Sequence, residues 1–343
     1  MNILVTGHQG YIGAVLLRVL RAAGHTVVGL DTGYFADCLL AQAPDPPDRE
    51  LRKDLRAVST ADLRGIEAVI HLAALSDDPL GGLNPALTDA INRCATVELA
   101  RKAREAGVSR FLFSSSCSVY GASDTDLPLT EEAPFNPVTA YGLSKVQAEA
   151  GLAALAADAF TPVFLRNATA YGASPRLRLD TLVLNNLVGW AVTTGVVRIL
   201  SDGTPWRPLA HVEDISNAFL AALHAPREAV HNEAFNVGQD GENFQIRDIA
   251  EVVRQTVPGC EVEYTGEHRG DRRTYRVAFG KIRERLPGFR PRWTIRKGAE
   301  ELHHLLKGAG LTLETFQGRK FKRLAQLNHL LEQGRLNADL FWK

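Results

Sequence analysis

The chain has 343 residues, 45% hydrophobic and 23% charged, with 39 basic and 39 acidic side chains and a formal net charge of zero. This is the composition of an ordinary globular protein, long enough for one large domain or two smaller ones around a sizeable core. A balanced charge excludes the broad basic field that recruits nucleic acid or an anionic membrane, so any anion site must be local.

The first apolar run, Met1-Asn2-Ile3-Leu4-Val5, starts at once. No basic segment or cleavage site precedes it, so no signal peptide is expected. Asn2–Thr6 is predicted as a strand and Ile12–Ala23 as a helix, with apolar residues at Ile12, Leu16, Leu17 and Leu20. Thr26–Asp31 and Ala68–Leu72 are the next strands, and Thr88–Glu105 is a long helix. Phe111–Ser115 and Val163–Arg166 are further strands. Strands spaced by helices predict βαβ units and a parallel sheet. After Ala168 glycine, proline and charge become more frequent, which predicts a smaller composite lobe over the strand ends. Leu311–Lys343 is charged and expected to be helical around Arg323–Leu331, with no role assigned. The expected division is 1–167, 168–310 with segments returning to the first unit, and 311–343. Cys38, Cys94, Cys117 and Cys260 are scattered without metal-ligand spacing, so reduced thiols, a cytoplasmic setting and no metal site are expected.

Thr6-Gly7-His8-Gln9-Gly10-Tyr11-Ile12-Gly13 joins the first strand to the first helix. Gly7 permits the tight turn, Gly10 lets the backbone approach a pyrophosphate, and Gly13 lets helix and strand pack closely. The helix N-terminus then offers free N–H groups and the positive end of its dipole to phosphates. Tyr11 and Ile12 lie within this dinucleotide-binding turn. Asp31 ends the second strand, where a carboxylate accepts from ribose hydroxyls and repels a 2′-phosphate. Thr32 and Gly33 follow without an arginine, which favours NAD over NADP. Asp54, with Leu55, follows another short strand and is placed either at the adenine or as a solvated loop carboxylate.

Tyr141 and Lys145 are four residues apart and share a helix face. A free phenol is a poor base at neutral pH, and a neighbouring cation lowers its pKa. Tyr141 is thus a candidate general acid/base, with Lys145 setting its pKa and holding a ribose. Ser116, in Ser114-Ser115-Ser116-Cys117-Ser118-Val119-Tyr120-Gly121, sits at a strand end where its hydroxyl can share the same proton.

Together Thr6–Gly13, Asp31, His71-Leu72-Ala73-Ala74, Asn92, Ser114–Gly121, Tyr141–Lys145 and Arg207–Asp214 resemble the extended short-chain dehydrogenase/reductases, the family of UDP-galactose 4-epimerase and the nucleotide-sugar dehydratases. The similarity spans about residues 1–305. It implies an α/β fold, a doubly wound Rossmann-type parallel sheet with a smaller composite α/β substrate-binding lobe. It further implies NAD as cofactor, a nucleoside-diphosphate sugar as substrate, and a homodimer paired through the helices Thr88–Glu105 and Tyr141–Ala156. By this resemblance Ser116, Tyr141 and Lys145 are catalytic. Leu72, Ala73 and Ala74 line the cofactor cleft, and Asn92 anchors the strand bearing Ser116 or the cofactor. Asn186, Arg207 and an arginine among Arg269, Arg272 and Arg273 meet the substrate diphosphate. Ser76, Ser118, Thr169 and Arg176 are further substrate candidates. Ser116-Cys117-Ser118 stands where the 4,6-dehydratases carry Thr-Asp-Glu, which disfavours elimination, and Thr169 replaces a frequent asparagine. The implied activity is epimerisation through a transient keto sugar. Net oxidation, ketoreduction or dehydration is the first alternative, and a non-catalytic nucleotide-binding scaffold the second.

Overall fold

A computed structural model describes residues 1–40, 43–122, 127–265 and 273–343. In chain order its elements begin with β1 (Asn2–Thr6), α1 (Tyr11–Ala22), β2 (Thr26–Asp31), β3 (Arg49–Arg52) and β4 (Ala68–His71). Next come α2 (Asp78–Leu83), α3 (Pro85–Asp89), a π turn at Ala90–Cys94, α4 (Ala95–Glu105), β5 (Arg110–Ser116) and α5 (Ala140–Ala153). β6 (Thr161–Asn167), β7 (Thr169–Tyr171), α6 (Val183–Thr194), β8 (Val196–Ile199), β9 (Trp206–His211) and α7 (Val212–His224) follow. The chain continues through α8 (Arg227–Val230), β10 (Glu233–Val237), β11 (Asn243–Gln245), α9 (Ile246–Thr256), β12 (Glu261–Tyr264) and α10 (Gly280–Arg285). It ends with α11 (Ile295–Gly308), α12 (Leu313–Gln317) and α13 (Arg323–Glu332).

Seven strands form the main sheet in the order β10-β6-β5-β4-β1-β2-β3, every adjacent pair parallel. Side chains alternate across it. Ile3 and Val5 of β1 join Val15 and Leu16 of α1 and Phe219 of α7, whereas Leu4 joins Leu99 of α4 and Leu152 of α5 on the opposite face. Each such fully buried side chain contributes about 1.5–3 kcal/mol over an exposed one. The strand order reverses between β1 and β4, where ligands of doubly wound sheets bind beyond the carboxyl ends of the strands.

A second, three-stranded sheet β11-β9-β7 and a pair β12-β8 form the smaller lobe together with α6 and α9. β10 nevertheless returns to the main sheet beside β6. The long helix expected over Thr88–Glu105 is broken into α3, the π turn and α4. Such turns are often found at functional positions, and this one holds Asn92. The residues after Leu311 pack Leu327, Leu330, Leu336 and Leu340 against Tyr34, Leu75, Leu80 and Leu87, at the mouth of the reversal point. Among the described residues no helix is long and apolar enough to cross a membrane.

Candidate active site

One cavity of about 1230 Å³ runs along the carboxyl ends of the main-sheet strands and under the smaller lobe. Gly7, Gly10, Tyr11, Ile12, Gly13, Asp31, Asp54 and Leu55 line one end. Leu72, Ala73, Ala74, Ser76, Ser116, Ser118, Tyr141, Lys145 and Thr169 line its middle, and Asn186, Arg207 and Arg273 its far end. Arg269 lies outside the described residues.

The glycines are needed where the sequence put them. Gly7 has φ +72°, and a Cβ there would lie 2.8 Å from the Ala73 backbone nitrogen. A Cβ on Gly13 would run into the Gly7 carbonyl. Gly10 caps α1 without any side-chain cap, so the first-turn N–H groups stay available to an anion. Asp31 accepts from Gln9 N at 3.1 Å and Gly33 N at 2.8 Å, which fixes its carboxylate at the end of β2. These features fit the adenosine and diphosphate of a dinucleotide. The sheet adds what the linear sequence hid: β2 pairs with β3 so that Asp31 lies opposite Arg52, whose guanidinium sits over Gly33. Asp54 lines the cavity, but its carboxylate already accepts from Arg56 N, Nε and Nη2, each at 2.8 Å.

His71 is buried between Thr6 at 2.6 Å and Thr96 at 2.7 Å, and burial, with the Lys145 charge, pushes it down to about 3. A neutral imidazole thus ties the end of β4 to β1 while Thr6 Oγ1 accepts from Ala73 N at 3.2 Å.

α5 begins after Thr139, whose side chain accepts from Gly142 N at 3.0 Å. That cap sets Tyr141 in the first turn and Lys145 one turn later on the cavity side. Lys145 Nζ donates to Ser114 O at 2.7 Å and lies 4.6 Å from the Phe113 ring centre. Burial pulls Lys145 down to about 7, partly offset by Glu149. Burial raises the Tyr141 phenol above its ordinary value, and Asp78 and Asp77 raise it further. The groups opposing that rise are the Ser116 hydroxyl and Arg178. Lys145, expected from sequence to lower this pKa, instead sits over the ring face, 5.6 Å from its centre. Ser116 Oγ accepts from Ser118 N at 3.1 Å and from the Ser118 hydroxyl at 2.8 Å, which leaves its own proton for Tyr141. Cys117 is buried with its thiol on the Arg166 carbonyl at 3.2 Å, and burial raises its pKa, so it is no nucleophile.

Two candidates fall elsewhere. Asn92 does not line the cavity and does not anchor β5. Its amide accepts from Leu75 N at 2.8 Å and donates to Leu75 O and Ser144 Oγ, each at 3.1 Å. The π turn swings it inward to tie the loop after β4 to α5. Arg176 is likewise outside the cavity lining, held by the Phe35 and Ala36 carbonyls behind Asp31. The short Ser174–Arg178 path carries its side chain towards the loop after β2, away from the substrate end. Asn186 lines the cavity while donating to Leu179 O at 2.7 Å.

The sequence candidates leave out Arg178, Asp77, Asp78, Gly81 and Arg323. Arg178 pairs with Asp77, and Arg273 pairs with Asp78 beside Tyr141. Gly81 of α2 meets Tyr141 so closely that a Cβ would lie 3.0 Å from the Tyr141 Cβ. Arg323 of the C-terminal segment lines the cavity. A buried arginine on a loop leaves no periodic signal, so only the fold reveals these.

The sheet order, the glycine turn and the Ser116–Tyr141–Lys145 grouping define a dinucleotide-dependent enzyme of the extended short-chain dehydrogenase/reductase type. The chain belongs to the NAD dependent epimerase/dehydratase family, whose profile matches residues 3–238. It is 29% identical over 311 residues to a UDP-glucose 4-epimerase of Lactobacillus helveticus, covering 85% of this chain and 92% of that protein. Among solved structures it is similar to MoeE5 in complex with UDP-glucose and NAD, with TM-score 0.77 and 28% identity over 90% of this chain and 99% of the other. It is also similar to TunA, an NAD-dependent NDP-hexosamine 5,6-dehydratase, with TM-score 0.79 and 25% identity over 90% of this chain and 98% of the other.

Proposed function

We propose that the protein interconverts epimers of a nucleoside-diphosphate sugar through a transient keto sugar, using NAD that it retains. The observation that carries this reading is one continuous cavity, lined by the dinucleotide turn, Tyr141, Arg207 and Arg273 alike. Bound NAD would supply the hydride acceptor and donor. The chain supplies the rest. Tyr141 takes the sugar hydroxyl's proton and gives it back, sharing it with Ser116. Lys145 holds the nicotinamide ribose beside Ser114. Asp31 takes the adenosine ribose, Leu55 and Asp54 the adenine edge, and Leu72, Ala73 and Ala74 the cleft wall. Asn186, Arg207 and Arg273 hold the sugar's diphosphate, where guanidinium–phosphate pairing gives both charge and orientation. Ser76, Ser118 and Thr169 face the sugar. Holding the remote nucleotide lets the keto sugar turn in place before it is reduced on its other face. Where dehydratases of the resembling family carry carboxylates, Cys117 and Ser118 offer none, so a stepwise elimination lacks its acid and base there.

The same proposal includes a cytoplasmic homodimer. Leu143 of α5 and Val138 just before it are 46% and 51% exposed, and Gln147, Ala150 and Ala154 continue this mild face. The outward side of α4, the other helix implied in the pairing, carries Glu98 paired to Arg101. Dimerisation is therefore carried by α5, and a concentration-independent monomer in sedimentation would overturn it.

The test is a panel of UDP-, dTDP- and GDP-sugars incubated without added cofactor and read by proton NMR. One sugar should come to equilibrium with its epimer at constant NAD content. Tyr141→Phe, which keeps the ring, should slow this by about 10²–10⁴-fold. Stoichiometric reduction of added NAD with an oxidised product would establish a dehydrogenase instead. Loss of water from the sugar would establish a dehydratase.

A further inference from the structure

We propose that the C-terminal segment is part of the dinucleotide site, with Arg323 supplying a cation to the diphosphate of the bound cofactor. Four observations converge on this. Arg323 lines the same cavity as Gly10, Tyr11 and Phe35 and is only 3% exposed. Its Nη1 has no hydrogen-bond partner, while Nη2 donates to Arg176 O at 2.8 Å. The Cys38 thiol, a weak acceptor, lies beside the group, and a buried guanidinium so poorly completed is costly unless a ligand supplies an oxygen.

Its position says which ligand. Arg176 is two residues from Ser174, whose hydroxyl donates to Tyr11 O at 2.8 Å in the first turn of α1. The guanidinium also lies 4.8 Å from the Phe35 ring centre, in the loop after β2. Arg323 therefore stands between the uncapped N-terminus of α1 and the adenosine end of the cavity. A diphosphate there meets helix N–H groups on one side and a guanidinium on the other, the geometry that suits bidentate pairing. Burial, with the neighbouring cations Arg178 and Arg176 adding to it, brings Arg323 down to about 10, so it remains charged at neutral pH.

The segment is also anchored for this task. Arg323 N donates to Asp180 at 3.1 Å and Gln326 donates to Tyr34 O at 3.1 Å. Trp342 Nε1 donates to Thr32 O at 2.7 Å, and Tyr34 OH to Leu340 O. Thr32 and Tyr34 line the adenosine end, so the last residues brace that wall from outside.

The experiment uses full-length protein carrying Arg323→Met, Arg323→Lys or Trp342→Ala, checked for unchanged circular dichroism. Exchange of bound NAD for labelled NAD is timed, and ADP-ribose and adenosine are tested as competitors. Arg323→Met should speed NAD exchange and weaken ADP-ribose on the order of tenfold to a hundredfold, with adenosine unaffected. Arg323→Lys should recover part of that loss. Trp342→Ala should weaken all three. Unchanged NAD exchange in Arg323→Met would overturn the proposal. So would a loss confined to the KM of the sugar nucleotide, which would assign the cation to the substrate's diphosphate. None of these binding readouts requires the protein to be an epimerase, so the two readings fail separately.

Discussion

Arg166 Nη2 lies 2.8 Å from Glu149 Oε2, and the two side chains are 6% and 7% exposed. This buried ion pair joins β6 to α5 one turn beyond Lys145. Ser115 also donates to Glu149, so the pair fixes β5 and α5 against each other under the site. Glu149→Leu strands the guanidinium without its counter-charge and should cost about 3–5 kcal/mol of stability. The double variant Glu149→Leu, Arg166→Met should regain most of that loss, because two matched apolar groups replace two charges. Chemical denaturation of the three proteins checks it, and equal losses in single and double variants would refute the account.

Gly81 sets the depth of Tyr141. Gly81→Val places atoms against the Tyr141 Cβ, from which even a bare Cβ would stand 3.0 Å away. α2 and α5 must then part. Displacing a reacting group by about 1 Å can cost roughly 10²-fold in rate. The expected outcome is a kcat lowered to that degree with NAD retention unchanged. Undiminished turnover would show that the α2–α5 contact does not position the phenol.

Asp31 and Arg52 predict a latent second cofactor preference. Asp31 lies opposite Arg52 in the β2–β3 pairing, with the guanidinium over Gly33. Asp31→Ser removes the carboxylate that repels a 2′-phosphate and leaves that cation in place. Affinity for NADP should rise by about tenfold or more, the worth of one charge-assisted hydrogen bond. Arg52→Ala in the same background should abolish the gain. Titration with both dinucleotides decides it.

Glu242 gives stability a pH signature. Its carboxyl is buried, accepts from Ile295 N at 2.8 Å, and is pushed up to about 7 by burial, with Asp214 adding to the rise. The folded state therefore holds a proton that the unfolded state, titrating near 4.5, gives up earlier. The stabilisation this confers is present below the unfolded value and is lost as pH rises through about 7. Glu242→Gln keeps an acceptor and never ionises. It should melt with wild type near about pH 4 and above it near about pH 8, by on the order of 1–3 kcal/mol. A gap that does not change with pH would sink this assignment.

The first half of the chain was legible because its signals are local. Thr6–Gly13 must adopt one backbone path, and the apolar runs that become β1, β2, β4, β5 and β6 are short, buried and flanked by turns. Tyr141 and Lys145 share a face by spacing alone. Asn92 was found by its motif but given the wrong task, because a π turn inside an apparently continuous helix redirects its side chain. Arg176 and Arg178 differ by two positions along a loop without a period, so nothing local told which faces the cavity. The pairing of Asp31 with Arg52 is a register across strands, and the contact of Gly81 with Tyr141 is a helix crossing. Neither exists until the sheet is assembled. The C-terminal segment is charged and amphipathic, a pattern shared by any surface helix, and only its docking on Tyr34 gives it a place.

That docking has a consequence for the order of assembly. Tyr34 and Leu340 are 306 residues apart, yet they share a hydrogen bond at the adenosine wall. β1, α1 and β2 can pair while the chain is still being synthesised, since their contacts are local and domains form from the N-terminal side. The wall they contribute stays unbraced until the residues around Trp342 have emerged and folded back. On the proposed role of this segment, a full grip on the cofactor waits for the residues around Trp342, and a chain ended before them would present a formed nucleotide fold with a leaky grip.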